Sequence, residues 1–145
     1  MGLDEARPGN FIFYDLTQNL IGSNDLDDIA VAMACPVVAV HPEANKLIIY
    51  GGGVHFSKDR LDDPTAGVIY GRVVRHEGLY WSTPITDLCL TELSQEHGTV
   101  TGPKELIKKY RVGDYLIILP VHSCMCANLM KAYYNVDVGR RVERL

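Results

Sequence analysis

Ile29-Ala-Val-Ala-Met-Ala-Cys-Pro-Val-Val-Ala-Val-His-Pro-Glu-Ala-Asn-Lys-Leu-Ile-Ile-Tyr50 is the stretch that decides the fold. Residues 29–41 are apolar for too long to lie at a sheet edge, and Pro36 falls where such a strand must bulge or bend. His41-Pro-Glu-Ala-Asn45 carries turn residues, and Lys46-Leu-Ile-Ile-Tyr50 returns as the hairpin partner. The reading is a long, bent, mostly buried strand followed by its antiparallel neighbour. Outward from it, Val68-Ile-Tyr-Gly-Arg-Val-Val74, residues 85–94 and Tyr115-Leu-Ile-Ile-Leu-Pro-Val-His122 are further strand candidates, separated by Gly, Pro, Asp and Ser clusters. A turn at Pro8-Gly9 leads into a short aromatic strand that stops near Asp15. Residues 16–28 read as loop, and residues 133–138 as a closing strand. Residues 104–110 read as helix, with Pro103 at the first turn and Val112-Gly-Asp114 ending it, and residues 127–131 add one more turn. Many short strands, one or two short helices and no alternation of strand and helix predict an all-β domain, a barrel or a sandwich.

Gly51-Gly52-Gly53, directly after the hairpin, predicts unusual backbone angles or the close approach of another chain or a ligand. It is not a phosphate-binding loop of the Gly-Lys-Ser/Thr kind, because that ending is missing and no helix is expected after it.

A chain of 145 residues is long enough to bury a core without disulfides or a structural metal. Hydrophobic content of 47% with 22% charged residues reads as globular, and no apolar run approaches the ~20 residues of a membrane span. A net charge of −4 gives no field for steering nucleic acid, so Lys104/Lys108/Lys109 and Arg140/Arg141/Arg144 read as solvated faces. The cysteines Cys35, Cys89, Cys124 and Cys126, in a chain with no signal peptide, imply reduced thiols and a cytoplasmic setting.

The chemistry concentrates at His122-Ser123-Cys124. If the strand continues, alternate side chains share a face, so His122, Cys124 and Cys126 point the same way. An imidazole and a thiolate two residues apart suit zinc, and a site with only two or three protein ligands keeps positions open for water or substrate. Against this stands the plain reading of cysteine as a small core residue and of a strand-end histidine as merely hydrogen-bonded. Cys126 is either a third ligand or core; a curl of the chain after Pro120-Val121 favours core. His41, His55 and His76 lie by turns and are expected in solvent.

Three segments taken in order, Ser94-Gln-Glu-His-Gly98, Gly113-Asp-Tyr-Leu-Ile-Ile-Leu-Pro120 and Val121-His-Ser-Cys-Met-Cys-Ala-Asn-Leu129, resemble the carboxyl-terminal β domain of D-serine dehydratase-like and D-threonine aldolase-like enzymes. Ile49-Tyr-Gly-Gly-Gly-Val-His-Phe-Ser-Lys-Asp59 extends the likeness over nearly the whole chain. The resemblance implies a fold-type III enzyme of the alanine racemase-like superfamily. In it a barrel carries pyridoxal phosphate (PLP) on a lysine, and the β domain sets a divalent metal beside the cofactor. His122-x-Cys124 follows the zinc-binding dehydratase branch rather than the His-x-Asp aldolase branch, and thiolate does favour zinc. The implied substrates are β-hydroxy D-amino acids, dehydrated to a keto acid and ammonia or cleaved to glycine and an aldehyde.

The resemblance also implies that residues 1–15 are the remnant of the last barrel strand and its linker, with residues 16–145 as the metal-binding β domain. Gly9 and Asn10 would approach the cofactor phosphate; an ordinary turn at Pro8-Gly9 is the alternative. His97 is the implied catalytic or metal-shell group, and Asn128 either orients the loop after the ligands or is a helix or turn cap. None of Lys46, Lys58, Lys104, Lys108, Lys109 and Lys131 is expected to bind PLP. The chain is therefore expected to be part of a larger, homodimeric enzyme, with a PLP barrel as partner domain, and to be silent alone. The alternative is a stand-alone β-barrel binding or interaction module without catalysis.

Overall fold

The computed structural model describes residues 2–7, 9–78 and 80–143, apart from the side chains of residues 83–86. Pro8, from the expected Pro8-Gly9 turn, and Arg144, from the basic cluster, lie outside the described residues. In chain order the elements are α1 (Leu16–Leu20), β1 (Met33–His41), β2 (Lys46–Tyr50), α2 (Gly53–Phe56), β3 (Leu61–Asp63), β4 (Gly67–Ile69) and β5 (Gly71–Glu77). There follow β6 (Tyr80–Leu93), β7 (His97–Thr101), α3 (Lys104–Ile107), β8 (Tyr115–Pro120), α4 (Ser123–Leu129), β9 (Ala132–Asn135) and β10 (Arg140–Glu143). Single 3-10 turns occupy Leu26–Asp28 and Pro42–Ala44.

Strands β1, β2, β7, β6, β5 and β8 pair in that order and close into a barrel, each ladder antiparallel. The all-β expectation holds, and of its two forms the barrel is the one adopted. Alternation makes the interior. Cys35 and Val37, Leu47 and Ile49, Leu88 and Leu90, Leu116 and Ile118, with Val73 and Val100, point inward. Ile107 of α3, Phe56 of α2 and Cys126 of α4 complete this core. The outer faces of β5, β6 and β8 are covered as well, because Val74, Cys89 and Leu119 pack with Ile69, Val121, Ile29 and Leu16. Each large apolar side chain buried in this way contributes about 1.5–3 kcal/mol of transfer free energy.

The hairpin of β1 and β2 forms as expected, with Asn45 left-handed at φ 54° after the Pro42–Ala44 turn. The bulge lies between Val37 and Ala39, while Pro36 itself stays opposite Tyr115. Several expectations are corrected. Phe11 to Tyr14 forms no strand, since Tyr14 turns the chain with φ 51°. The supposed loop that follows contains α1, capped by the Asp15 carboxylate on the Gln18 N–H. The 68–74 run breaks at Tyr70, so that β4 pairs with β3 in a separate hairpin while β5 enters the barrel. The strand near residue 133 stops at Asn135 and pairs with β10.

The glycines after β2 do mark a close approach, and the approaching backbone is this chain's own. A Cβ on Gly52 would lie 2.5 Å from the Gln95 carbonyl oxygen and 2.6 Å from the His97 nitrogen. Without one, the N–H groups of Gly51, Gly53 and Val54 donate to the carbonyls of Glu96, Ser94 and Gln95 at 2.9, 2.8 and 3.1 Å. Contrary to expectation, a helix does follow: α2 begins at Gly53, and His55 accepts the Gly52 N–H on Nδ1 at 3.2 Å. His55 is thus only partly exposed rather than solvated.

Two outcomes follow from this rim. Gly52→Ala drives a methyl into backbone and should cost about 1–3 kcal/mol, read as a fall of roughly 3–12 °C in Tm. Burial holds the His55 imidazole below its ordinary 6.5, against the opposing pull of Glu96. The unfolded chain therefore takes up this proton first as pH falls. The stability contributed by neutral His55 is complete above about pH 6.5 and declines below it, and His55→Ala should flatten that slope in urea midpoints recorded from pH 7.5 to 5.

Candidate functional site

Strand β8 ends at Pro120, and two residues later the chain enters α4 with His122 extended at φ −132°, ψ 101° as the residue before the helix. The strand therefore does not continue through Cys124, and the shared face expected for His122, Cys124 and Cys126 does not exist. Along a helix, residues two apart lie about 200° round the axis. Cys124 is exposed, whereas Cys126 is buried and donates its thiol to the Phe56 carbonyl at 3.4 Å. Burial, with the charges of Asp15 and Asp59 adding to it, pushes the Cys126 thiol up to about 12. Cys126 is core, as the expected curl after Val121 favoured.

His122 is held from outside by Asp59. Its Nδ1 lies 2.5 Å from a carboxylate oxygen, with the two side chains 40% and 48% exposed. A carboxylate partner on Nδ1 favours the tautomer in which Nε2 is the nitrogen open to a ligand. Asp59 reaches this position through Ser57, a buried residue at φ 65°, ψ −164°, whose hydroxyl accepts the Asp59 N–H at 3.2 Å. That backbone region is otherwise glycine's and stores about 1–3 kcal/mol of strain.

A second contact group lies beneath the corner. Asp15 is 1% exposed and accepts the Ser123 N–H at 2.9 Å, while Asn10 donates to the same carboxylate at 2.5 Å. The side chain of Asn10 is therefore engaged with Asp15 and Ser123, and the space around Gly9 is open. His97 opens β7 as an exposed residue, its ring edge-on to Tyr50 at 6.0 Å, and Tyr50 meets His55 at 4.9 Å. Asn128 lies within α4 rather than in a loop. Asp59 and Asp15 are the site residues that sequence reading missed, although Ser57-Lys-Asp59 and the cap pattern Asp15-x-x-Gln18 were the signals for them. Among the described residues, no three His, Cys, Asp or Glu side chains converge as a metal cage, and no helix is long and apolar enough to cross a membrane.

The donor set suits an open zinc site: an imidazole with a carboxylate on its far nitrogen and an exposed cysteine two residues on. Comparison with known proteins identifies the family. The chain is 29% identical over 147 residues to a D-serine dehydratase of Dictyostelium discoideum, covering 97% of this chain and 35% of that protein. To a D-threo-3-hydroxyaspartate dehydratase of Delftia sp. (strain HT23) it is 26% identical over 148 residues, covering 98% of this chain and 38% of the relative. Among solved structures, an alanine racemase-like protein of Idiomarina loihiensis matches with a TM-score of 0.75 at 28% identity, over 90% of this chain and 35% of that one. The Delftia enzyme matches with 0.76 at 25% identity, over 92% and 36%. The chain thus spans little more than a third of these relatives. The family model described as a putative serine dehydratase domain matches residues 30–136, which take in the barrel, Asp59, His97, His122 and Cys124, and the chain belongs to that family.

Proposed function

We propose that this chain is the metal-bearing β domain of a PLP-dependent dehydratase acting on β-hydroxy D-amino acids, with zinc held by His122 Nε2 and the Cys124 thiolate. The observation that carries the reading is the His122–Asp59 contact with exposed Cys124 two residues on, since a carboxylate on Nδ1 favours the tautomer that leaves Nε2 open to a ligand. Support comes also from the Delftia dehydratase, solved as a His→Ala variant and as a Cys→Ala variant two positions along, the latter in a metal-free form. The same spacing separates His122 from Cys124.

A zinc ion held by these two side chains would supply Lewis-acid polarisation of a substrate hydroxyl. Asp59 keeps the His122 ring in one tautomer and one orientation. His97, exposed at the start of β7, is the proposed group that meets substrate and exchanges a proton with it. Gly9 and the Asn10 backbone are the proposed contacts for the PLP phosphate, in the segment that would join residues 16–145 to a cofactor barrel. That barrel, a homodimer of the whole enzyme and a cytoplasmic setting belong to the same proposal.

Zinc should bind the purified chain at close to one equivalent by metal analysis after dialysis. His122→Ala or Cys124→Ala should abolish it, and Asp59→Asn should weaken it about 10–100-fold. A wild-type chain that stays metal-free with excess zinc would sink the proposal. Without a PLP barrel, the chain should release no keto acid from D-serine with added cofactor.

A further inference from the structure

We infer that Asp15 is a positioning residue for the metal pair: its buried carboxylate fixes the peptide between His122 and Ser123, and with it the start of the helix that presents Cys124. The inference rests on the metal reading above and adds to it residues from the other end of the chain, outside the matched segment.

Asp15 lies at the foot of α1, where one carboxylate oxygen is enough to cap the helix by accepting the Gln18 N–H at 2.9 Å. The other oxygen has a different task, reaching 108 residues along the chain to the Ser123 N–H at 2.9 Å. Asn10 closes the arrangement. Its amide nitrogen donates to that same oxygen, and its amide oxygen accepts the Ser123 hydroxyl at 3.0 Å. Ser123 is fully buried, so the Ser123–Asp15 bond forms away from water, where a carboxylate acceptor is strongest and an unmade bond is most costly.

The residue before His122 is held from the same helix. Thr17 donates both its hydroxyl and its N–H to the Val121 carbonyl, at 2.8 and 3.3 Å. The backbone on each side of His122 is therefore tied to α1, through Val121 on one side and Ser123 on the other. Asp59 restrains only the ring. A ligand pair needs its geometry fixed at both levels, because a loosened peptide moves His122 and Cys124 relative to each other.

The test uses the whole chain, stripped of metal and titrated with zinc against a chromophoric chelator, then with cobalt(II) to read the thiolate charge-transfer band. Asp15→Asn should weaken zinc about tenfold or more and alter the cobalt band. Val100→Ala, in the barrel core, should lower stability to denaturant while leaving affinity and band as in wild type. If Asp15→Asn does not fold, Asn10→Ala and Thr17→Val, which leave the carboxylate in place, should each weaken zinc severalfold. Wild-type affinity and band in Asp15→Asn, or in both substitutes, overturns the inference, as does equal loss in Val100→Ala. A wild-type chain that takes up no metal overturns the metal reading and this inference together; binding that is indifferent to Asp15 overturns only the inference.

Discussion

Two backbones touch at the barrel rim, and the candidate site is assembled on that contact. Gly51 and Gly52 allow the end of β2 to lie against the turn before β7, with the N–H groups of Gly51, Gly53 and Val54 reaching the carbonyls of residues 94–96. Held there, the chain cannot extend β2 and turns into α2. That helix drops Phe56 into the mouth of the barrel, and the Phe56 carbonyl receives the Cys126 thiol of α4. Ser57 then bends sharply to deliver Asp59 to His122. A single side chain at Gly52 would displace the first member of this series.

The parts that sequence reading recovered are those where one interaction dominates. Lys46 to Tyr50 and Tyr115 to Pro120 alternate or run apolar because barrel burial sets their pattern, and the Pro42–Ala44 turn has residues that admit few other conformations. Cys124 and Cys126 were misplaced because His-Ser-Cys-Met-Cys has neither strand nor helix character of its own. The helix there is selected by packing of α4 on α2 and by the Asp15 carboxylate at its start, both long-range. Spacing and family resemblance single out His122 and Cys124, but the extended geometry assumed for that spacing gives way to α4. Asp59 was not readable, since its partner is 63 residues away. The strand expected at Phe11 failed because aromatic residues were weighed without the local competition of Asp15 as a helix cap.

Charge placement gives the corner its chemical character. Asp15 lies below the start of α4 and Asp59 outside it, so carboxylates flank the His122–Cys124 pair from two sides. Neither belongs to the pair itself, yet both favour a cation over an anion at that position. Buried Cys35 and Cys126, whose thiols burial pushes up to about 12, offer no competing thiolate nearby. Cys124 is the exposed cysteine on this rim.

The placement of β8 has a bearing on the order in which the molecule comes together. This strand pairs with β1 on one side and β5 on the other, so it shuts the barrel by joining residues 115–118 to residues 33–36. Contacts so distant along a chain are slow to find, and topologies that depend on them fold in roughly milliseconds to seconds rather than microseconds. His122 follows β8 by two residues, and α1, from the far end of the sequence, grips the peptides around it. The backbone on both sides of His122 thus takes its final course from contacts with residues more than 100 positions earlier in the chain.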